Sequence, residues 1–411
     1  MPSAKVSLMI NLVQDSSTLS YDVVLIGGAM YGSSIAWFLS DNSDFEGSVL
    51  VIEKDLSYEF CSTSHTNSCI RQQFSQKLNI ALSQFGADFI TNFRDYVKDS
   101  DAPEIKLQSF GYMYLANNEK FAKYLRSSQT IQKESGAQTK FLDPAEIQKL
   151  YPFYNTRDIV GANHNIFNEG YFDGNTIFDY WRKKAKINGV TYLQDEVVNM
   201  KLNKNKTRIE MIALKSGLQV SAGIVVNSSG PHAALTAGMA GIKIPVEPRK
   251  RYSFIFQAQN PIETSLPLTI DPSGVHFRSD GKNYLAGCPP NDDRAVGHGD
   301  FQMDYSIWEN KIWPAIANRI PQFDALKVLR GWAGHYAYNT LDQNAILGYH
   351  SVVKNFVFVN GFSGHGLQHS PGIGRGLSEL ITYNEYRSLD LSPLGFSRIE
   401  KNEPFAETAI I

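Results

Sequence analysis

Short, uninterrupted apolar runs alternate along this chain with longer stretches whose apolar residues recur every three to four positions. Asp22-Val23-Val24-Leu25-Ile26 is a run of strand length that stops at Gly27. Residues 33–40 carry Ile35, Ala36, Phe38 and Leu39 at helical spacing, and Val49-Leu50-Val51-Ile52 is a second apolar run closed by Glu53. The same periodicities predict helices over 78–97, 177–187, 301–319 and 372–386. They predict strands over 111–116, 190–193, 197–202, 208–214, 223–227, 252–257, 284–287 and 356–360. A helix passing through Tyr124 and Ile131 follows the strand at 111–116. Asp143 before Pro144 predicts a capped start for another short helix. The strands between 252 and 287 belong to a second region.

The first apolar run, its turn and the next helix form a candidate nucleotide-binding βαβ unit. The turn is Gly27-Gly28-Ala29-Met30-Tyr31-Gly32. A helix opening there presents unpaired N–H groups and a partial positive charge, which suit a pyrophosphate. Glu53, followed by Lys54, lies about 20 residues beyond the turn, where an acidic residue accepts hydrogen bonds from a ribose. Ala29 occupies the middle glycine position of the G-x-G-x-x-G pattern. An acid at 53 favours a free ribose over a 2′-phosphate, and by itself it fits NAD as well as FAD.

Composition narrows the class. At 411 residues the chain exceeds a single ordinary core, so two domains are expected. Hydrophobic residues make up 43 % and charged residues 19 %, a globular balance, and the net charge of −2 gives no basic field for nucleic acid. No apolar run reaches the length of a membrane span. Cys61, Cys69 and Cys288, without a C-x-x-C pair, suggest a reducing, cytoplasmic setting and no metal site. Residues 1–20 read as an N-terminal arm.

A second strand–glycine turn–helix lies near the other end: Asn360-Gly361-Phe362-Ser363-Gly364-His365-Gly366-Leu367-Gln368, then Pro371-Gly372-Ile373-Gly374. Between the two turns stand Val225-Val226-Asn227-Ser228-Ser229-Gly230, Pro245-Val246-Glu247-Pro248-Arg249-Lys250-Arg251, and Trp332-Ala333-Gly334 with Thr340, Asp342 and Gly348. In this order the motifs resemble the D-amino-acid-oxidase-like (DAO) family of FAD-dependent oxidoreductases. Ser62 to Phe74, with Ile70-Arg71-Gln72-Gln73-Phe74, is closest to the branch of sarcosine oxidase, glycine oxidase and FAD-dependent oxidoreductase domain-containing protein 1. The resemblance implies an α/β fold, with a Rossmann-like, GR2-type FAD-binding domain on a parallel sheet, assembled from 21–104, 158–244 and 331–411. It also implies an inserted α+β substrate domain, 105–157 and 245–330, on a mostly antiparallel sheet.

The resemblance also assigns residues. The first turn, Glu53 and Lys54, Ser62-Thr63-Ser64-His65, Val197, Ser228-Ser229-Gly230, Gly334 and Gly364-His365-Gly366-Leu367-Gln368 would hold FAD. Arg71 would bind a substrate carboxylate in bidentate fashion. Gln368 stands where sarcosine oxidase has a second, cationic carboxylate contact. An anion could instead be held by His276 or Arg278, in a strand resembling the family's pocket wall. No lysine lies within Tyr284-Leu285-Ala286-Gly287, only Lys282 before it, which weakens a fast oxygen reaction and leaves room for a dehydrogenase. His65 matches a histidine that carries covalent flavin in dimethylglycine and sarcosine dehydrogenases, although Cys61 replaces the loop's glycine, and non-covalent FAD is the favoured expectation.

The implied activity is oxidation of a C–N bond in a small amino acid, most readily a secondary or N-substituted one of the sarcosine or iminodiacetate type. Hydride would pass to flavin N5, the imine would hydrolyse, and oxygen or another acceptor would take the electrons. Two rivals stay open. One is a 2-hydroxy-acid dehydrogenase using His276 as base, and the other is an assembly or chaperone protein that retains FAD.

Overall fold

The computed structural model describes residues 18–408. Most of the expected N-terminal arm lies outside that range, and Leu19 already begins the first strand. A parallel core of five strands runs in the order Phe356–Asn360, Gln219–Asn227, Leu19–Ile26, Val49–Glu53, Thr191–Gln194. Antiparallel strands flank it: Ile346–Tyr349 on the edge, and the pair Val197–Leu202 and Ile209–Leu214 beside Gln219–Asn227. The first strand is continuously apolar because both faces are covered. Val23 and Leu25 join a core with Ile35, Phe89, Trp181 and Leu377 from the helices on one side. Val24 and Ile26 join Val225, Ala233, Phe356 and Phe358 on the other.

The chain leaves Leu19–Ile26 for a neighbour on one side and later adds Gln219–Asn227 on the other. The central strand is therefore a topological switch point, and such sheets bind ligands at the carboxyl ends of the strands there. Ile26 pairs with Ile52 and with Asn227, which brings Gly27, Glu53 and Ser228 to one edge.

The second sheet has eight strands in the order Leu326–Asn339, Val246–Ala258, Asn283–Cys288, His276–Asp280, Leu268–Ile270, Tyr112–Ala116, Gly161–Asn165, Lys140–Leu142. All neighbours are antiparallel except Leu268–Ile270 beside Tyr112–Ala116. Strand pairing moves two expected boundaries. Gly161–Asn165 and Leu326–Asn339 belong to the second sheet, although the sequence placed 158–165 and 331–339 with the nucleotide-binding segments.

Several helices differ from their expected bounds. The first spans Met30–Asp41. The stretch 78–97 is Lys77–Thr91 followed by Phe93–Val97, broken at Asn92. In 301–319 only 306–307, then Trp308–Ile312, wound as a π-helix, and Trp313–Arg319 are helical. The last long helix is Gly366–Tyr383 rather than 372–386. Asp143 caps Pro144–Leu150 as predicted, with Glu146 returning the bond in a capping box.

Candidate active site

The site is built where the strand ends meet. Gly27 takes a left-handed backbone (φ +99°), and a Cβ there would fall 2.6 Å from the Ser228 carbonyl oxygen. A Cβ on Gly32 would fall 2.0 Å from the Gly27 carbonyl oxygen. Only glycine lets the turn fold so tightly onto itself and onto the 227–230 loop. Ser228 Oγ donates to the carbonyls of Gly27 (2.7 Å) and Ile26 (3.0 Å), and Ser33 Oγ donates to that of Gly28 (2.7 Å). Ala29 stands at the N-cap, so the helix begins at Met30, whose N–H reaches Thr63 Oγ1 at 3.3 Å.

Glu53 Oε2 accepts the Gly28 N–H at 2.8 Å and Oε1 accepts that of Asp55 at 3.0 Å. Burial raises its pKa, against the lowering effect of these bonds. Near the site of a Gly28 Cβ lies the Tyr58 hydroxyl, buried without a hydrogen-bond partner.

A cleft of about 350 Å³ extends from this edge to the second sheet. Gly27, Ala29, Met30, Tyr31, Glu53 and Lys54 line it. Ser62, Thr63, His65, Val197, the 228–230 loop, Gly334 and Gly364 to Gln368 complete the expected cofactor wall. Gly28, Gly32 and Ser64 do not line it. The two glycines shape the backbone, and Ser64 Oγ donates instead to the Tyr58 carbonyl (2.7 Å). Lys54 Nζ lies 2.9 Å from His232 Nε2.

The last helix is tied to the first turn. The Tyr31 hydroxyl donates to the Gly366 carbonyl at 2.5 Å, and its ring stacks on Phe362 with centroids 3.9 Å apart. His365 Nε2 is buried without a partner, and burial, followed by the neighbouring His369 and Arg71, holds its pKa well below the usual range. His65 Nδ1 is 3.1 Å from the Cys61 carbonyl oxygen, and the ring stacks on Phe301 at 5.8 Å.

Arg71 is 4 % exposed and lines the cleft. Its guanidinium lies 3.8 Å over the Phe74 ring and donates to the Gln73 carbonyl. Gln368 Oε1 accepts the Arg71 N–H (2.8 Å), so part of the amide expected at the substrate instead fixes the loop. Glu169, unexposed, accepts from Gln72 N–H (2.7 Å) and Gln73 Nε2 (2.8 Å), and burial pushes its pKa up to about 7.

His276 lines the cleft, and burial, then Arg251 and Arg278, push its pKa down to about 4. Arg278 does not line the cleft. Its guanidinium donates to Asp280 (2.9 Å) and to the carbonyls of Ser279 (2.8 Å) and Asn67 (3.1 Å), so the expected alternative anchor is committed elsewhere. Sequence reasoning missed Glu169, Asn67 and Arg251. Arg251 was visible within Arg249-Lys250-Arg251, but strand register alone turns it toward the cleft.

The model of the family "FAD dependent oxidoreductase" (DAO) matches residues 22–380. The chain belongs to the DAO family. This DAO-family chain is 35 % identical over 423 residues to FAD-dependent oxidoreductase domain-containing protein 1 of Xenopus laevis, covering 95 % of this chain and 85 % of that one. It is 21 % identical over 375 residues to human mitochondrial sarcosine dehydrogenase, covering 88 % and 40 %. A crystal structure of L-proline dehydrogenase from P. horikoshii superposes with a TM-score of 0.81 at 26 % identity, covering 94 % of this chain and all of that one. As a DAO-family member the protein is an FAD-dependent oxidoreductase, and its cofactor is FAD. Among the described residues no helix is long and apolar enough to cross a membrane, and no group of three or more His, Cys, Asp or Glu could hold a metal.

Proposed function

We propose that this enzyme oxidises the C–N bond of a small amino acid, a secondary or N-substituted one, with Arg71 holding the substrate carboxylate. The observation that carries this reading is the placement of Arg71. It is buried on the cleft wall and tied through Gln368 to the helix that opens at His365 and Gly366. A guanidinium fork held there would orient the substrate and present its C–H in one direction.

The glycine turn at 27–32 would hold the pyrophosphate, Glu53 the ribose, and the 364–366 turn the flavin ring. The tightness of the turn supports this, since a Cβ at Gly27 or Gly32 would run into the Ser228 or Gly27 carbonyl oxygen. Bound FAD supplies the two-electron acceptor for hydride lost from the carbon beside nitrogen. His65 Nδ1 faces the Cys61 carbonyl and the ring rests on Phe301, an arrangement that supports non-covalent retention.

An amine substrate reacts through its neutral form and needs little acid–base help. A 2-hydroxy acid needs a base to accept the hydroxyl proton. His276 is the candidate base, and its geometry disfavours that role. As the amide stands, Asn67 Oδ1 meets Ser253 Oγ (3.1 Å) and Asn67 Nδ2 donates to His276 Nε2 (3.1 Å). The imidazole lone pair is thereby used and Nδ1 carries the proton. The test is an anaerobic screen in which sarcosine, N-alkylglycines, iminodiacetate and L-proline are compared with lactate and 2-hydroxyglutarate. Bleaching of the flavin absorbance by the amines and not the hydroxy acids is expected. The reverse order sinks the reading.

A further inference from the structure

The cleft wall carries a second buried arginine for which monocarboxylate chemistry has no use. Arg251, in strand Val246–Ala258, is 8 % exposed and lines the cleft. Its guanidinium lies 4.6 Å over the ring of Tyr336, another lining residue. Strand register places Arg251 opposite Gly334, which packs against His65, so the arginine belongs to the same region as the proposed flavin contacts.

What holds Arg251 is itself a carboxylate. Asp293 Oδ1 accepts from Nη1 at 2.7 Å and Oδ2 accepts from Nη2 at 3.1 Å, and Nη1 also donates to the Lys250 carbonyl (2.7 Å). Asp293 comes from an irregular segment after strand Asn283–Cys288, and its side chain is 29 % exposed. A bidentate fork is thus filled by a carboxylate on a loop. Asp293 also has somewhere else to go. Arg249 Nη1 stands 3.6 Å from its Oδ2, and Arg249 is already paired with Glu247 at 2.8 Å. Releasing Arg251 would leave Asp293 beside a cation. Arg251 Nε is buried without a partner, so the guanidinium retains an unused donor.

We propose that Arg251 is a second anion-binding residue of the substrate site, and that the substrate is an amino acid bearing a second carboxylate. The inference rests on the amine-oxidation reading above and names its substrate class. One carboxylate takes Arg71. The other displaces Asp293 from Arg251. A monocarboxylate leaves the Arg251–Asp293 pair closed and forgoes the second contact. Two fixed anion sites also set the length of the molecule between them, which is a specificity device.

The test uses the FAD-loaded enzyme and two probes that it cannot oxidise by this chemistry, glutarate and butyrate. Their dissociation constants are read from perturbation of the flavin absorbance and from the shift in melting temperature. Glutarate is expected to bind roughly 10- to 100-fold more tightly than butyrate. Arg251→Gln should erase that preference by weakening glutarate alone, with butyrate unchanged. Asp293→Asn should tighten glutarate several-fold, because the internal competitor loses its charge. If Arg251→Gln does not fold, the Asp293→Asn variant decides the matter by itself. Equal affinity of the wild type for both probes overturns the proposal, as does equal weakening of both probes by Arg251→Gln or an unchanged glutarate affinity in Asp293→Asn. Binding of these probes does not depend on amine turnover, so failure of the amine screen and failure of this proposal are separately visible.

Discussion

Gln368 Oε1 accepts the backbone N–H of Arg71 at 2.8 Å and the Ser83 hydroxyl at 3.2 Å. One side chain on the last long helix therefore fixes the loop that carries the proposed substrate anchor. An acceptor is required at this position, and lysine has none. Gln368→Lys should leave the buried Arg71 N–H unpaired, at a cost of about 1–3 kcal/mol in unfolding stability. KM for the substrate should rise. Gln368→Glu keeps the acceptor and should lose less. Chemical denaturation and steady-state kinetics of the two variants check this.

The first glycine turn gives a paired prediction. Gly32→Ala puts a methyl 2.0 Å from the Gly27 carbonyl oxygen, against backbone that cannot swing aside. Overpacking of this kind costs about 1–3 kcal/mol, and the turn that opens must release FAD. Gly238, inside helix Ala233–Met239, has nothing within 4 Å of a Cβ and no left-handed backbone. Gly238→Ala should be neutral or stabilise by about 0.5–1 kcal/mol. Melting temperature and flavin absorbance of both variants are the measurements, and equal damage from the two would contradict the packing argument.

Much of this was legible in sequence because the parallel strands are buried on both faces. Val23 to Ile26 and Phe356 to Asn360 read as apolar runs for that reason. Gly161–Asn165 was not legible. Its Asn163, His164 and Asn165 are polar yet buried, and the Leu125 carbonyl that accepts from Asn163 Nδ2 at 2.7 Å is distant in sequence.

The last helix was placed six residues late because Gly366, Gly372, Gly374 and Pro371 argue locally against a helix. Close packing explains the glycines. A Cβ on Gly374 would fall 1.9 Å from Ser34 Oγ, and one on Gly372 would fall 2.8 Å from Leu82. Pro371 has no N–H for the Leu367 carbonyl, and Ser370 Oγ supplies the bond instead at 2.7 Å. None of these compensations shows in spacing. Arg278 has the residue type of an anion anchor in a pocket-like strand, and only the structure reveals its commitment to Asp280.

Glu169 predicts a pH dependence. Burial lifts its pKa from an ordinary 4.5 to about 7, so the folded chain holds this proton more tightly than the unfolded chain. Its contribution is therefore full below about pH 4.5 and is lost as pH rises through about 7, up to about 3 kcal/mol. Glu169→Gln should flatten that segment of the stability curve. Urea titrations at pH 5, 6, 7 and 8 on both proteins check the slope, and a slope that survives the substitution belongs to another group.

Acid precipitation should release all the FAD into the supernatant, from the wild type and from His65→Ala alike. His65 Nδ1 faces a carbonyl oxygen at 3.1 Å and the ring packs on Phe301, and nothing in this arrangement requires a bond to the cofactor. Flavin that stays on the pellet and maps to a peptide containing His65 would reverse this conclusion.

The central claim is amine oxidation with Arg71 as the carboxylate anchor, and single-turnover reduction tests it most directly. Anaerobic enzyme is mixed with a secondary amino acid and the flavin absorbance is followed in wild type and Arg71→Ala. A buried carboxylate that loses its charged partner costs about 2–5 kcal/mol. The apparent second-order rate of bleaching should therefore fall roughly 30- to 5000-fold. FAD content should be unchanged, and Arg71→Lys should recover only part of the loss. Equal bleaching rates in wild type and Arg71→Ala would contradict the account.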